Sequence, residues 1–112
     1  MEKVVLMVDD ETVSGEYLMR ALPKEIAVFL AQNFTDAKRI FLERKPTHVI
    51  LDGCVEKKTI DSLPFLAWLK EQGFTGKIIA YSCGYNQALL KAGATHCAHK
   101  YRIKELVELV MD

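Results

Sequence analysis

The 112-residue chain has only three cysteines, and no two of them are spaced as Cys-x-x-Cys. That excludes a disulfide framework of the small secreted kind and a cysteine zinc site. A reduced, cytoplasmic protein is the simplest reading. No segment approaches the roughly 18 consecutive apolar residues of a membrane-spanning helix, so no membrane partner is expected. The N-terminus lacks the basic start, apolar middle and small-residue cleavage site of a signal peptide. Neither charge is in excess, since fifteen Lys and Arg balance fifteen Asp and Glu. A nucleic-acid face normally shows as a basic stripe and a high isoelectric point, so direct nucleic-acid binding is not expected. Only three prolines and six glycines are present. No Gly-, Ser- or Pro-rich linker, low-complexity tract or internal repeat divides the chain.

What is there is a large apolar fraction. Half the residues are hydrophobic, enough for one core without disulfide or metal staples, and the length fits one domain over 1–112 with no second module. The apolar residues fall in alternating patterns. Short apolar runs at 3–8, 26–31, 47–51 and 77–82, with a weaker one at 96–100, read as strands, the first and third of the fully buried type. Between and after them, 12–22, 37–44, 64–71, 86–92 and 103–111 carry helical spacing. Thr35 and Asp36 offer an N-cap for the second helix, and Asp61 or Ser62 for the third. Pro23, Pro46 and Gly93 mark helix ends, and Pro64 suits a first turn. Strict β-α alternation predicts an α/β fold with a parallel sheet, helices on both faces and right-handed crossovers.

The polar residues collect where the strands end. The first strand runs into Asp9 and Asp10, the third into Asp52, the fourth into Ser82 and the fifth into Lys100. Open parallel sheets bind ligands at that edge, where strand order reverses. If the second strand lies at the sheet edge, three carboxylates, a hydroxyl and a lysine converge. Three carboxylates repel one another, which points to a cation. Each element alone has a bland reading: Asp9 and Asp10 as helix-capping acids, Asp52-Gly53 as a turn pair, Ser82 and Lys100 as surface groups. Their joint occurrence outweighs it.

Four segments carry a family resemblance: Val5-Leu6-Met7-Val8-Asp9-Asp10-Glu11, Val49-Ile50-Leu51-Asp52, Ile78-Ile79-Ala80-Tyr81-Ser82, and Ala92-Gly93-Ala94 running on to Lys100. In this order they resemble the receiver domain of two-component response regulators, of the stand-alone chemotaxis type. The resemblance implies a flavodoxin-like, doubly wound five-stranded sheet of order 2-1-3-4-5. It implies Asp52 as phosphoacceptor, with Mg2+ held by Asp9, Asp10, Asp52 and the Cys54 backbone carbonyl. Ser82 and Lys100 would contact the phosphoryl group. The expected donor is a histidine kinase or phosphotransfer protein, and the expected output is a separate effector protein, with a homodimer as one further partner.

The chain departs from the family pattern in ways that bear on function. Glu56 stands where a proline is usual, in a charged loop over 55–60 that looks about two residues longer than usual and reads as solvated. Tyr101 follows Lys100 where a proline in a cis bond is usual, and a non-proline cis bond costs about 3 kcal/mol. Cys97 occupies the switch position normally held by an aromatic residue; Tyr81, Tyr85 and Tyr101 are candidate substitutes. The helix over 86–92 is short by about one turn. Cys54 and Gly84 stand at the two positions that tune water attack on an acyl phosphate, and neither holds water well. Cys83 reads as a small buried group. His48, His96 and His99 have no metal-ligand spacing with the cysteines. The alternatives are a degenerate receiver acting as a phosphorylation-independent adaptor, and an aspartate-nucleophile phosphohydrolase. The second would need Asp-x-Asp after the first strand and a cap domain.

Overall fold

The computed structural model describes residues 2–112. Five strands form one parallel sheet: β1 (Val4–Val8), β2 (Ala27–Ala31), β3 (His48–Leu51), β4 (Lys77–Ser82) and β5 (His96–His99). The order is β2-β1-β3-β4-β5, the doubly wound flavodoxin-like arrangement. Five helices alternate with them: α1 (Val13–Ala21), α2 (Phe34–Arg44), α3 (Leu63–Glu71), α4 (Asn86–Lys91) and α5 (Ile103–Met111). Register pairs Val8 of β1 with Ala31 on one side and Leu51 on the other. Strand order therefore reverses between β1 and β3, and the acids that follow those two strands emerge next to each other.

The apolar runs of the central strands are continuous because both faces of the sheet are covered. On one face Leu6, Val8, Val49, Leu51, Ile78 and Ala80 meet Ala37 of α2, Phe65, Leu66 and Leu69 of α3, and Leu89 of α4. On the other, Val5, Met7, Ile50, Ile79, Tyr81 and Ala98 meet Leu18 of α1 and Leu106 and Val110 of α5. Trp68 joins the first face through edge-on packing with Phe41, ring centroids 5.3 Å apart, and stacking with Phe65 at 5.7 Å. Fully burying one such side chain contributes about 1.5–3 kcal/mol. The core can therefore carry an electrostatically costly edge.

Two helix starts differ from the sequence reading. α2 begins at Phe34, and its cap is Asn33, whose side-chain oxygen accepts from Asp36 N at 2.8 Å. Asp36 returns the bond, accepting from Asn33 Nδ2 at 3.0 Å. This reciprocal pairing places the cap ahead of Thr35. Ser62 occupies the N-cap position of α3, as the sequence allows, but neither it nor Asp61 caps the helix through its side chain. Asp61 accepts from the backbone N–H groups of Val55, Glu56 and Lys57 at 2.8–2.9 Å. Ser62 donates to the Gly53 carbonyl at 3.1 Å. The loop over 55–60 is therefore clamped at its base by one carboxylate. Glu56 is also engaged: its carboxylate accepts from Phe34 N at 2.7 Å, satisfying an orphan donor in the first turn of α2 and complementing the helix dipole.

Gly76, just before β4, is required by close approach. A Cβ there would collide with the Thr47 carbonyl oxygen, a backbone atom that cannot step aside. At Gly84 a Cβ would meet nothing within 4 Å. Gly76→Ala is expected to cost about 1–3 kcal/mol through overpacking, and Gly84→Ala to stay within about 0.5 kcal/mol. Urea midpoints of the two variants check this; equal midpoints would contradict it.

Candidate functional site

At the C-terminal edge of the sheet, Asp9, Asp10 and Asp52 each offer a carboxylate oxygen, and these oxygens lie within 4.8 Å of one another. Asp9 and Asp52 are buried and Asp10 is exposed. Lys100, in the turn after β5, reaches in between them. Its Nζ lies 2.5 Å from Asp9 Oδ2 and 3.1 Å from Asp52 Oδ2, with a side chain only 5% exposed. Asp9 also accepts from Glu11 N at 3.0 Å. Gln32, at the end of β2, donates to the Asp10 carbonyl at 2.9 Å.

Burial dominates the electrostatics. It pushes the Asp9 carboxyl up to about 6, against the opposing pull of its hydrogen bonds to Lys100 and Glu11 N; the Asp52 charge adds to the rise. Burial lowers the Lys100 pKa, but the Asp9 hydrogen bond and the two carboxylate charges outweigh it and leave the ammonium above its ordinary value. Lys100 is thus a permanent cation beside three acids. With all three ionised, two negative charges remain unbalanced, an arrangement that a divalent cation with oxygen ligands would neutralise.

Ser82 closes the site from β4. Its backbone N–H donates to Asn86 Oδ1 at 2.9 Å, and Asn86 Nδ2 donates to the Ala98 carbonyl at 2.9 Å. Asn86, the first residue of α4, thereby ties the end of β4 to β5. Gly53 lets the loop after β3 approach: a Cβ there would sit 2.8 Å from Tyr85 Cβ and 3.0 Å from Ser82 Oγ. Asp10, Asp52, Cys54, Ser82 and Lys100 share one hollow of about 330 Å³, rimmed by Lys57 and Lys58. The Gly53 carbonyl is already used by Asp61 N and Ser62 Oγ. A larger open groove of about 840 Å³ lies at the opposite edge, beside His48 and His96, away from the acid cluster.

Structural comparison then places the chain. Its backbone matches the receiver domain of the Francisella response regulator 1452 with a TM-score of 0.82 and 19% identity over 98% of this chain and 94% of that one. It matches a response regulator from Thermotoga maritima with a TM-score of 0.81 and 24% identity, over 99% and 96% of the two chains. It matches a signal receiver domain from Vibrio parahaemolyticus at 0.83 and 19%, over 99% and 88%. The chain has the receiver fold. No protein-family model and no curated protein matches the sequence.

Within this receiver fold, the residues singled out from the sequence are brought together except one. Cys97 lies exposed on β5, paired in register with Ala80 on the α3–α4 face of the sheet. Cys83, expected to be buried, is exposed and lines the hollow. Cys54 is half-buried, and burial first, then Asp52, Asp61 and Asp10, push its thiol up. No peptide bond among the described residues is cis. The Lys100–Tyr101 bond is trans, and Tyr101 takes a left-handed backbone instead, with φ +68°. That conformation costs a non-glycine residue about 1–3 kcal/mol. Asn86 was not anticipated as a site-forming residue; Tyr81 was named only as a candidate switch aromatic, not as a partner of the turn after β5.

No helix of the described residues is long and apolar enough to cross a membrane. Asp9 carries a proton below about pH 6, and a cation must displace it. Any affinity of the cluster for a divalent cation such as Mg2+ is therefore expected to rise with pH through about 6, to level off about one unit above, and to be accompanied by proton release in that range. Calorimetric titrations in buffers of different ionisation enthalpy check this; a flat profile would contradict it.

Proposed function

We propose that the chain is a phosphorylation-switched receiver. A histidine kinase or phosphotransfer protein is the donor, Asp52 the acceptor, and a separate effector protein the reader. The observation that carries the reading is the placement of Asp52 in one hollow with Ser82 and Lys100, beside two further carboxylates. Asp9, Asp10 and Asp52, with the Cys54 backbone carbonyl, would hold Mg2+; three carboxylates around one lysine suit a hard divalent ion. When bound, the ion supplies charge neutralisation at the phosphoryl oxygens.

The chain's own residues account for the rest. Lys57 and Lys58 at the rim give an incoming phosphate donor a favourable approach. An Asp52 carboxylate oxygen attacks phosphorus, and an O–P bond forms. The P–N bond to the donor imidazole breaks, and its electron pair returns to the ring nitrogen. Ser82 Oγ donates to one phosphoryl oxygen. Lys100 Nζ, poised beside Asp52, donates to another. Phosphoryl transfer needs little beyond positioning and electrostatics, so these groups suffice without turnover of a free substrate. A reduced cytoplasmic setting suits the free cysteines. The competing adaptor reading requires none of these side chains.

Intact mass after incubation with Mg2+ and a small acyl phosphate tests the proposal. Wild type is expected to gain one phosphoryl group and Asp52→Asn none; no gain on folded, Mg2+-saturated wild type would favour the adaptor. The acyl phosphate should also be long-lived, because the Cys54 thiol and Gly84 offer no group that positions water. Gly84 has open space for a larger side chain. Cys54→Asn with Gly84→Glu is expected to speed decay several-fold, read by loss of the phosphorylated mass. Fast decay unchanged by both substitutions would refute this.

A further inference from the structure

Tyr81 is a fully buried tyrosine on β4, the residue before Ser82. The hydroxyl accepts from Tyr101 N at 2.7 Å and is hydrogen-bonded to Ser14 Oγ of α1 at 2.8 Å. Tyr101 is the residue with φ +68° directly after Lys100. Its own side chain, 56% exposed, donates to Glu11 at 2.9 Å. The face of the Tyr81 ring lies 5.0 Å from Lys100 Nζ. One side chain therefore holds the backbone on one side of Lys100 and lies beneath its ammonium.

We infer that Tyr81 is a positioning residue: its hydroxyl latches the Tyr101 N–H, and so fixes the turn from which Lys100 reaches Asp9 and Asp52. The physical need is specific. A left-handed non-glycine residue does not persist unless its surroundings over-determine it. A backbone N–H next to the core also requires a partner. A hydroxyl at this depth supplies both, and a phenyl ring would supply neither. Ser14 anchors the hydroxyl from the opposite helix, so α1, β4 and the turn after β5 meet at a single oxygen. Lys100 then projects from a fixed base, which suits an ammonium that must stay between two carboxylates and remain within reach of a group added to Asp52. The consequence for transfer rests on the proposed phosphoacceptor role of Asp52; the latch itself does not.

Two readouts test it. Tyr81→Phe keeps the ring and the core volume but removes the hydroxyl. In metal-free wild type the Tyr101 amide is expected to be protected from hydrogen exchange, and in Tyr81→Phe to exchange about tenfold faster or more, while the β3 and β4 amides keep their protection. An unprotected Tyr101 amide in wild type overturns the latch even if the variant fails to fold, as does unchanged exchange in a folded variant. The second readout is the rate of Asp52 phosphorylation by a small acyl phosphate at saturating Mg2+. Tyr81→Phe is expected to slow it about tenfold, with the Mg2+ half-saturation unchanged within about twofold, and to add no further loss in a Lys100→Ala background, because the effect runs through Lys100. An equal further loss in that background identifies a merely structural role and overturns the inference. If wild type accepts no phosphoryl group, the phosphoacceptor reading fails, and amide exchange alone decides the latch.

Discussion

Asp9 and Asp52 are kept close against their mutual repulsion, with Asp10 beside them, by one buried ammonium, Lys100. Most of the C-terminal edge is built around that requirement. The strand order brings the ends of β1 and β3 together, which creates the crowding. The turn after β5 then has to deliver a lysine into the same space, and it does so through a left-handed Tyr101. Burial strengthens the ion pairs and penalises each charge, so the site is stable only as a set. The same tension leaves Asp9 titrating near about 6 and keeps the cluster receptive to a divalent ion.

Around this edge, residues that break the expected pattern have found other physical work. Glu56 caps the first turn of α2 from a different loop. Asp61 gathers three backbone N–H groups and shapes the segment that carries Cys54. Among the described residues, no buried side-chain nitrogen or oxygen is left without a partner. A loop that reads as solvated charge is therefore partly a scaffold, while Lys57 and Lys58 remain at the rim.

The fold was legible because the central strands are apolar on both faces and the helices on one, a contrast of period that survives without tertiary information. The acids, Ser82 and Lys100 were legible because each lies at or just past the C-terminal end of a strand. What escaped depends on distance across the sheet. A linear reading cannot rank Asp9 above Asp52 as the nearer partner of Lys100, since the two are separated by a whole α-β-α-β passage. Nor can it show that Tyr81 faces α1 and the turn after β5, because Ser14 and Tyr101 lie 67 and 20 residues away in sequence. The cap of α2 was misplaced because Asn33 follows β2 so closely that it reads as the tail of the strand. Cys83 was misjudged by residue type: cysteines are usually buried, but this one stands on a loop at the rim.

The central claim is that Lys100 holds the acid cluster together. It is tested most directly by the titration of Asp9, followed through its side-chain carboxyl 13C resonance in metal-free protein, for wild type and for Lys100→Met. Wild type should titrate near about 6, and loss of the ammonium should move the midpoint upward, because both the hydrogen bond and the positive charge of Lys100 lower it. An unchanged or lower midpoint in the folded variant would show that the cluster does not depend on Lys100 and would contradict the account.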